Sequence, residues 1–268
     1  MRRTILTVIA AAMTFSLAAQ DLTILHFNDT HSHIDPQRSG DLQGRGGVIE
    51  QAAYIDQVRA EAGRKNVLLV HAGDFGQGTS YFTELNGDVE IDVMNAIGFD
   101  VVTLGNHEFD NGAVELGRRL KNLDAQVVCA NYDFTGTALE GIVKPYTIVK
   151  RAGKKIGIIG LLTDVSSVVD VSNAQGIVYQ EPAPIVNSLA DYLKNKKKCD
   201  LVICLSHLGH GGDCRLAGQI RNVDIIVGGH SHTHLDAIQL EKDLDGKDIQ
   251  IVQNWKWGLN VGTLTVDF

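Results

Sequence analysis

The sequence predicts an α/β fold in which short buried strands alternate with helices and carry functional groups at their ends. Three observations support this. Short apolar runs recur along the chain with helical or polar stretches between them. Glycine is plentiful at 28 residues while proline is scarce at 4, a balance that suits tight turns leaving strands. Finally, five segments rich in metal-ligating side chains each follow such a run: Asn28-Asp29-Thr30-His31, Gly73-Asp74, Gly105-Asn106-His107-Glu108, Ser206-His207 and Gly228-Gly229-His230-Ser231-His232.

The elements follow in order. Leu22 to Phe27 reads as a strand. Val48 to Ala62 reads as an amphipathic helix with Ile49, Ala52, Ala53 and Ile55 on one side. Val67 to Val70 is a short buried strand; about Ser80 to Ile97 reads as one helix ending near Gly98. Val101 to Leu104 is again a strand, a helix starts at Asn111 or Gly112 and runs to about Leu123, and Gln126 to Ala130 follows as a strand. Tyr146 to Lys150 and Ile156 to Leu162, joined through Arg151-Ala152-Gly153-Lys154, form a predicted β-hairpin. Then come a helix near Ala183 to Asn195, a strand at Leu201 to Leu205, a helix near Cys214 to Arg221 and a strand at Ile225 to Val227. Ile249 to Gln253 and Val261 to Phe268 read as antiparallel strands. The pattern implies a mixed sheet, or two packed sheets, covered by helices in one domain. The basic run Lys194 to Lys198 suits a solvated helix end.

Composition narrows the class. Hydrophobic residues make up 44% and charged residues 21%, as in an ordinary globular protein. With 24 Lys+Arg against 32 Asp+Glu, the chain is a poor candidate for holding nucleic acid by charge. Residues 1–20 read as a secretory signal: Arg2 and Arg3, an apolar stretch from Ile5 to Leu17, then Ala18 and Ala19. That stretch is short for a membrane span, and no second one follows. The expectation is a periplasmic or secreted protein whose mature part is residues 21–268. Export permits disulfides, yet Cys129, Cys199, Cys204 and Cys214 match no metal or redox spacing and receive no chemistry.

The ligand-bearing segments point to divalent cations. Carboxylate and amide oxygens suit hard cations, and imidazole brings in zinc, manganese or iron. Beyond a strand, residues i and i+2 point the same way, so Asp29 with His31, and His230 with His232, can each converge. Asp74 can bridge two ions through its two oxygens; Asn106 offers a neutral amide oxygen and His207 an imidazole. Neighbouring strands of an open α/β sheet deliver such groups to one crevice. His26 and His71 lie within strands and read as packed core residues; His33, His210 and His234 read as rim residues. His107 reads as catalytic. Asp110, three residues on, either holds the His107 imidazole or caps the following helix. Glu108 reads as structural. Two cations about 3.5–4 Å apart are the apparatus of phosphoester cleavage.

The five segments together resemble the calcineurin-like metallophosphoesterases, and within them the catalytic domain of 5′-nucleotidases, across essentially all of residues 21–268. The resemblance implies a four-layer α/β/β/α sandwich of two mixed sheets. It implies one ion on Asp29, His31, Asp74 and His232, and a second on Asp74, Asn106, His207 and His230. His107 with Asp110 is the implied catalytic dyad. A histidine at position 232 departs from the glutamine or asparagine frequent in related chains. The implied activity is phosphate-monoester hydrolysis by a water that the ions activate, on a small phosphoester such as a nucleotide. Phosphodiesters and sugar nucleotides are alternatives. Relatives resembled here carry a further C-terminal substrate-binding domain. The expectation is that this chain lacks it, so that a separately encoded partner could supply it.

Overall fold

A computed structural model describes residues 21–268; the expected signal segment lies outside them. Strand β1 (Leu22–Phe27) is followed by helix α1 (Val48–Ala62), β2 (Val67–His71), α2 (Ser80–Leu85), α3 (Asp88–Ile97) and β3 (Val101–Thr103). Helix α4 (Gly112–Leu120), β4 (Gln126–Val128), β5 (Tyr132–Asp133), β6 (Tyr146–Arg151) and β7 (Lys154–Leu162) come next. The chain continues through β8 (Val178–Tyr179), α5 (Pro182–Asp191), β9 (Leu201–His207), α6 (His210–Ala217) and β10 (Ile225–Val227). It ends with β11 (Gln239–Lys242), β12 (Asp248–Val252) and β13 (Gly262–Val266).

Two mixed sheets face each other. One runs β13-β1-β2-β3-β4 and the other β11-β12-β10-β9-β7-β6, while β5 and β8 form a small separate ribbon. Strands β1 to β4 are mutually parallel, as are β7, β9, β10 and β12, so both sheets send strand ends toward one edge. Side chains alternate along each strand and both faces are covered, which is why the runs read as continuously apolar. Leu22, Ile24, Leu68 and Val70 meet Ile203, Leu205, Ile225 and Val227 between the sheets. Leu25, Phe27 and Leu69 turn outward to Ile55, Ile91, Met94 and Leu116 of α1, α3 and α4. On the other side Val202, Cys204 and Ile226 pack under Val186, Ala190, Leu216 and Ala217 of α5 and α6. Three apolar layers between four structural layers make the α/β/β/α sandwich.

The structure corrects several expectations. The helix expected over Ser80 to Ile97 is two helices, broken at Asn86 and Gly87, both in the left-handed region. A side chain at 87 would collide with the buried Arg119 guanidinium, which fixes the break there. On α1, Ile49 is 76% exposed and Ala53 also faces solvent, while Gln51, Ile55 and Arg59 point inward. Arg59 donates to the Ile97 and Gly98 carbonyls at 2.7 and 2.8 Å and Gln51 to the Gly258 carbonyl at 3.0 Å, so hydrogen bonds draw polar residues onto the inner face. The last two strands do not pair with each other. β12 lies parallel to β10 in one sheet and β13 antiparallel to β1 in the other, so the intervening segment crosses between the sheets. The helix expected near Cys214 to Arg221 spans His210–Ala217 instead. All four cysteines are unpaired.

Candidate metal centre and active site

The strand ends that converge at one edge bring six of the seven predicted ligands into two clusters, with Asn106 lining the same cleft. The loop after β1 presents Asp29 and His31, the loop after β2 presents Asp74, and the segment after β3 presents Asn106. β9 ends on His207, and the loop after β10 presents His230 and His232. Asp29, His31 and His232 have ligand atoms mutually within 4.8 Å, and so do Asp74, His207 and His230. Asp29 Oδ1 lies 3.6 Å from His232 Nε2 and 3.9 Å from both His31 Nε2 and His207 Nε2, which joins the two clusters. Asp74 Oδ2 lies 3.0 Å from His207 Nε2 and 3.9 Å from His31 Nε2, placing this carboxylate between them.

The backbone at these positions is unusual. Asp29, His31, Ser32, Asp74, His230 and His232 all have positive φ, between 48° and 76°. Left-handed conformations are costly for such residues and persist where surrounding contacts impose them. Here the contacts are direct: Asp29 accepts the His230 amide at 3.0 Å, Asp74 accepts the His107 amide at 2.9 Å, and the Asp29 and His31 amides donate to the Gly73 and Asp74 carbonyls at 3.0 Å. The neighbouring glycines leave room for this crowding. A Cβ at Gly229 would stand 2.8 Å from His207 Nδ1, and one at Gly105 would strike the Asp74 carboxylate. Glu108 organises the floor as a buried carboxylate. It accepts the amides of Asp74, Phe75, Gly76 and Gly105 at 2.6–3.0 Å and reaches no cluster atom itself.

Several observations show that the donor set fits cations. The Nδ1–H of His207 donates to the Ala72 carbonyl at 2.6 Å, which directs the Nε2 lone pair at Asp74. Nε2 and the carboxylate then face each other at 3.0 Å without hydrogen-bond alignment. Two acceptors in that position call for positive charge between them. Burial opposes a charge on His207, but Asp74 beside it overrides this and favours a proton on Nε2, which stands where a cation would take its place and free the lone pair. Burial brings His31 and His230 down to about 4, so both offer neutral lone pairs. The Asn106 side-chain oxygen is buried without any hydrogen-bond partner. Four imidazoles, two carboxylates and one amide oxygen suit zinc, manganese or iron.

His107 stands beside the clusters, its ring centroid 5.3 Å from that of His31. Asp110 Oδ2 lies 2.9 Å from His107 Nδ1, while the following helix is capped at Asn111 without a side-chain bond. Of the two readings open for Asp110, the geometry shows the contact with His107. That hydrogen bond raises the pKa of His107 and leaves Nε2 for the cleft. The cleft holds about 470 Å³ and is lined by ligands, His107, Gln77 and Trp257, a size suited to a small-molecule substrate. Its rim contains residues that the sequence did not mark. Trp255 and Trp257 also have positive φ and stack on His234 and His33. Their loop is pinned by Asn28, which donates to the Trp255 carbonyl at 2.7 Å and accepts the Asn254 amide at 2.8 Å. The turn follows strand β12 and runs into Gly258, which also has positive φ, but it bears no carboxylate or imidazole to single it out.

Comparison with known proteins agrees with this geometry. The calcineurin-like phosphoesterase family matches residues 22–234. A probable 5′-nucleotidase of Treponema pallidum is 35% identical over 92% of this chain and 45% of its own length. The snake venom 5′-nucleotidase of Naja atra is 34% identical over 92% of this chain and 50% of its own. The crystal structure of a 5′-nucleotidase precursor from Thermus thermophilus superposes with a TM-score of 0.83 at 36% identity, covering 92% of this chain and 51% of that one. Haemophilus influenzae NAD nucleotidase gives a TM-score of 0.81 at 31% identity, covering 91% and 47%. The chain thus spans about half the length of the relatives it matches. With the family matched over most of its length and the sandwich and strand-end clusters in place, the chain belongs to the calcineurin-like phosphoesterase family.

Proposed function

We propose that this protein is an exported, two-metal phosphohydrolase that cleaves phosphate monoesters of nucleotide type. The observation that carries the reading is Asp74 set between two ligand clusters, with the His207 lone pair aimed at its carboxylate. Asp29, His31, Asp74 and His232 would hold one ion, and Asp74, Asn106, His207 and His230 the other. Bound there, two divalent ions supply Lewis acidity toward phosphoryl oxygens and make water acidic enough to act as a nucleophile near neutral pH.

The chain's own residues do the rest. Asp74 holds the two clusters in register while Glu108 fixes the loop that carries it. Asp110 holds His107 in one tautomer and favours its protonated form. His107 Nε2 then donates to a phosphoryl or leaving-group oxygen as negative charge develops there. The nucleotide preference is supported by the names of the relatives. Export is supported by the signal-like residues 1–20, and no helix among the described residues is long and apolar enough to cross a membrane.

The test uses protein lacking residues 1–20, loaded with manganese or zinc and assayed on AMP and on p-nitrophenyl phosphate. Elemental analysis should find two ions per chain, with release of inorganic phosphate from both substrates. Hydrolysis of the chromogenic ester with AMP untouched would overturn the nucleotide preference and favour a partner that supplies substrate binding. Inactivity with two ions bound would overturn the hydrolase reading. His107→Ala should lower kcat about 100-fold or more while leaving bound metal unchanged. Unaltered turnover would remove His107 from the mechanism.

A further inference from the structure

The rim of the cleft carries one cation that the proposed mechanism does not use. Lys256 sits between Trp255 and Trp257, and its Nζ lies 4.1 Å from the centroid of the Trp257 ring. No carboxylate among the described residues lies within ion-pair distance of it, whereas Arg38, the basic residue of the adjoining groove, is paired to Asp35 at 2.7 Å. Trp257 lines the cleft together with His33 and His232, so a cation over its ring lies at the mouth of the cleft. A cation over an indole face has a modest, replaceable attraction. An anion arriving at the mouth competes for it directly.

Position decides which anion. The charge of the transferred phosphoryl group is met at the ligand clusters and by His107. Lys256 lies beside Trp257 on the cleft wall and belongs to neither ligand cluster, so it is available to a part of the substrate other than the transferred phosphoryl group. The rim is also held in place. The Trp257 amide donates to the Asp29 carbonyl at 2.7 Å and Asn28 fixes the preceding turn, so the stem of Lys256 starts from a rigid base. His33 also stacks on Trp257, with centroids 4.7 Å apart, so the indole is held in place beneath the lysine.

We infer that Lys256 is a specificity-determining cation that leaves the face of Trp257 to pair with a second phosphate carried by the leaving group, favouring nucleoside diphosphates over monoesters with uncharged leaving groups. The inference rests on the phosphohydrolase reading of the same site. In the reaction, water oxygen bonds to the terminal phosphorus and the bridging P–O bond breaks. Inorganic phosphate and a nucleoside monophosphate depart, and one proton is released to solvent near neutral pH. Lys256 stays charged throughout and binds the phosphate that is not transferred.

The test compares kcat/KM on ADP with kcat/KM on p-nitrophenyl phosphate for the parent, Lys256→Met and Lys256→Arg. Methionine keeps the apolar stem over Trp257 and removes the charge. The ADP-to-monoester ratio should fall about 10- to 100-fold in Lys256→Met, mainly through KM on ADP, with arginine restoring most of it. An unchanged ratio, or an equal loss on both substrates, overturns the assignment. A second readout is independent of turnover. The chain has 2 tryptophans, so in a Trp255→Phe background Trp257 is the sole indole. Inorganic pyrophosphate added to the manganese-loaded protein should change its fluorescence, and Lys256→Met should abolish that change. A parent inactive on both substrates would sink the hydrolase reading, while the fluorescence titration would still decide the role of Lys256.

Discussion

The two ligand clusters are built from the same residue types but differ in how firmly they are held. His207 is fully buried at the end of β9, its Nδ1 bonded to the Ala72 carbonyl and its ring enclosed by Gly73 and Gly229. His31 and His232 ride on left-handed turns beyond their strands and face each other at 3.0 Å through Nε2. His31 Nδ1 is buried without a partner, and the His232 side chain is 33% exposed. A ligand fixed by a second hydrogen bond is oriented before the ion arrives; one without it must be ordered on binding. We therefore propose that the second cluster holds its ion tightly and that the first exchanges it.

The largest expected effect breaks this asymmetry directly. His207→Ala should abolish binding at the tight site and reduce turnover about 1,000-fold, the consequence of losing several kcal/mol of charge stabilisation. His232→Ala should weaken only the exchangeable ion, and excess manganese should restore most of the activity. Metal content after gel filtration, against activity titrated with manganese, separates the two variants. Equal metal loss in both, with equal rescue, would overturn the ranking.

The candidate ligands could be picked out because metal chemistry needs few residue types and the fold places them after buried apolar runs, two signals that coincide at Asp29, Asp74, Asn106, His207 and His230. The sandwich was legible for a related reason: strands covered on both faces, such as Leu201–His207, are apolar without alternation. What escaped notice depended on backbone conformation or on polar residues turned inward. Gln51 and Arg59 face the interior of α1 because backbone carbonyls await them, and counting apolar residues assigned that face to Ile49 instead. The rim loop at Trp255 and Trp257 follows an apolar run and precedes Gly258, but it carries none of the carboxylates or imidazoles that marked the other strand ends. Its shape comes from Asn28, more than two hundred residues away.

Glu108 offers an intermediate test, because it holds the turn that carries Asp74 without belonging to either cluster. Its carboxylate gathers four amides around Asp74 and Gly105. Glu108→Gln keeps the shape but replaces one acceptor oxygen with a donor that faces amide hydrogens. Metal affinity should fall about 10- to 100-fold, the range for outer partners of a metal site. Isothermal titration with zinc measures it, and circular dichroism checks that the fold persists. Unchanged affinity would show that the Asp74 turn is held by its other contacts.

The smallest expected effect contrasts two buried imidazoles, His207 and His26. His207 has Asp74 beside it, whereas His26 lies in β1 opposite Gly262, with its Nδ1 unpartnered. Burial alone brings His26 down to about 4 from its ordinary 6.5. Because the folded-state value is the lower one, the unfolded chain takes up the proton first as pH falls. Stability is therefore lost progressively below about pH 6.5 and levels off near pH 4. Between pH 7 and 5 this group should cost about 2 kcal/mol, at the 1.4 kcal/mol per pH unit that linkage sets. For a chain of this size that corresponds to a fall of about 4–8 °C in Tm. His71, also buried and brought down to about 3, adds to the acid sensitivity, so only part of it belongs to His26. His26→Leu fills the same space without a titrating group. Calorimetric scans of metal-free parent and variant across this range should show a shallower pH dependence for the variant. Identical slopes would mean that His26 gains its proton without unfolding, and that burial in β1 is not what separates it from His207.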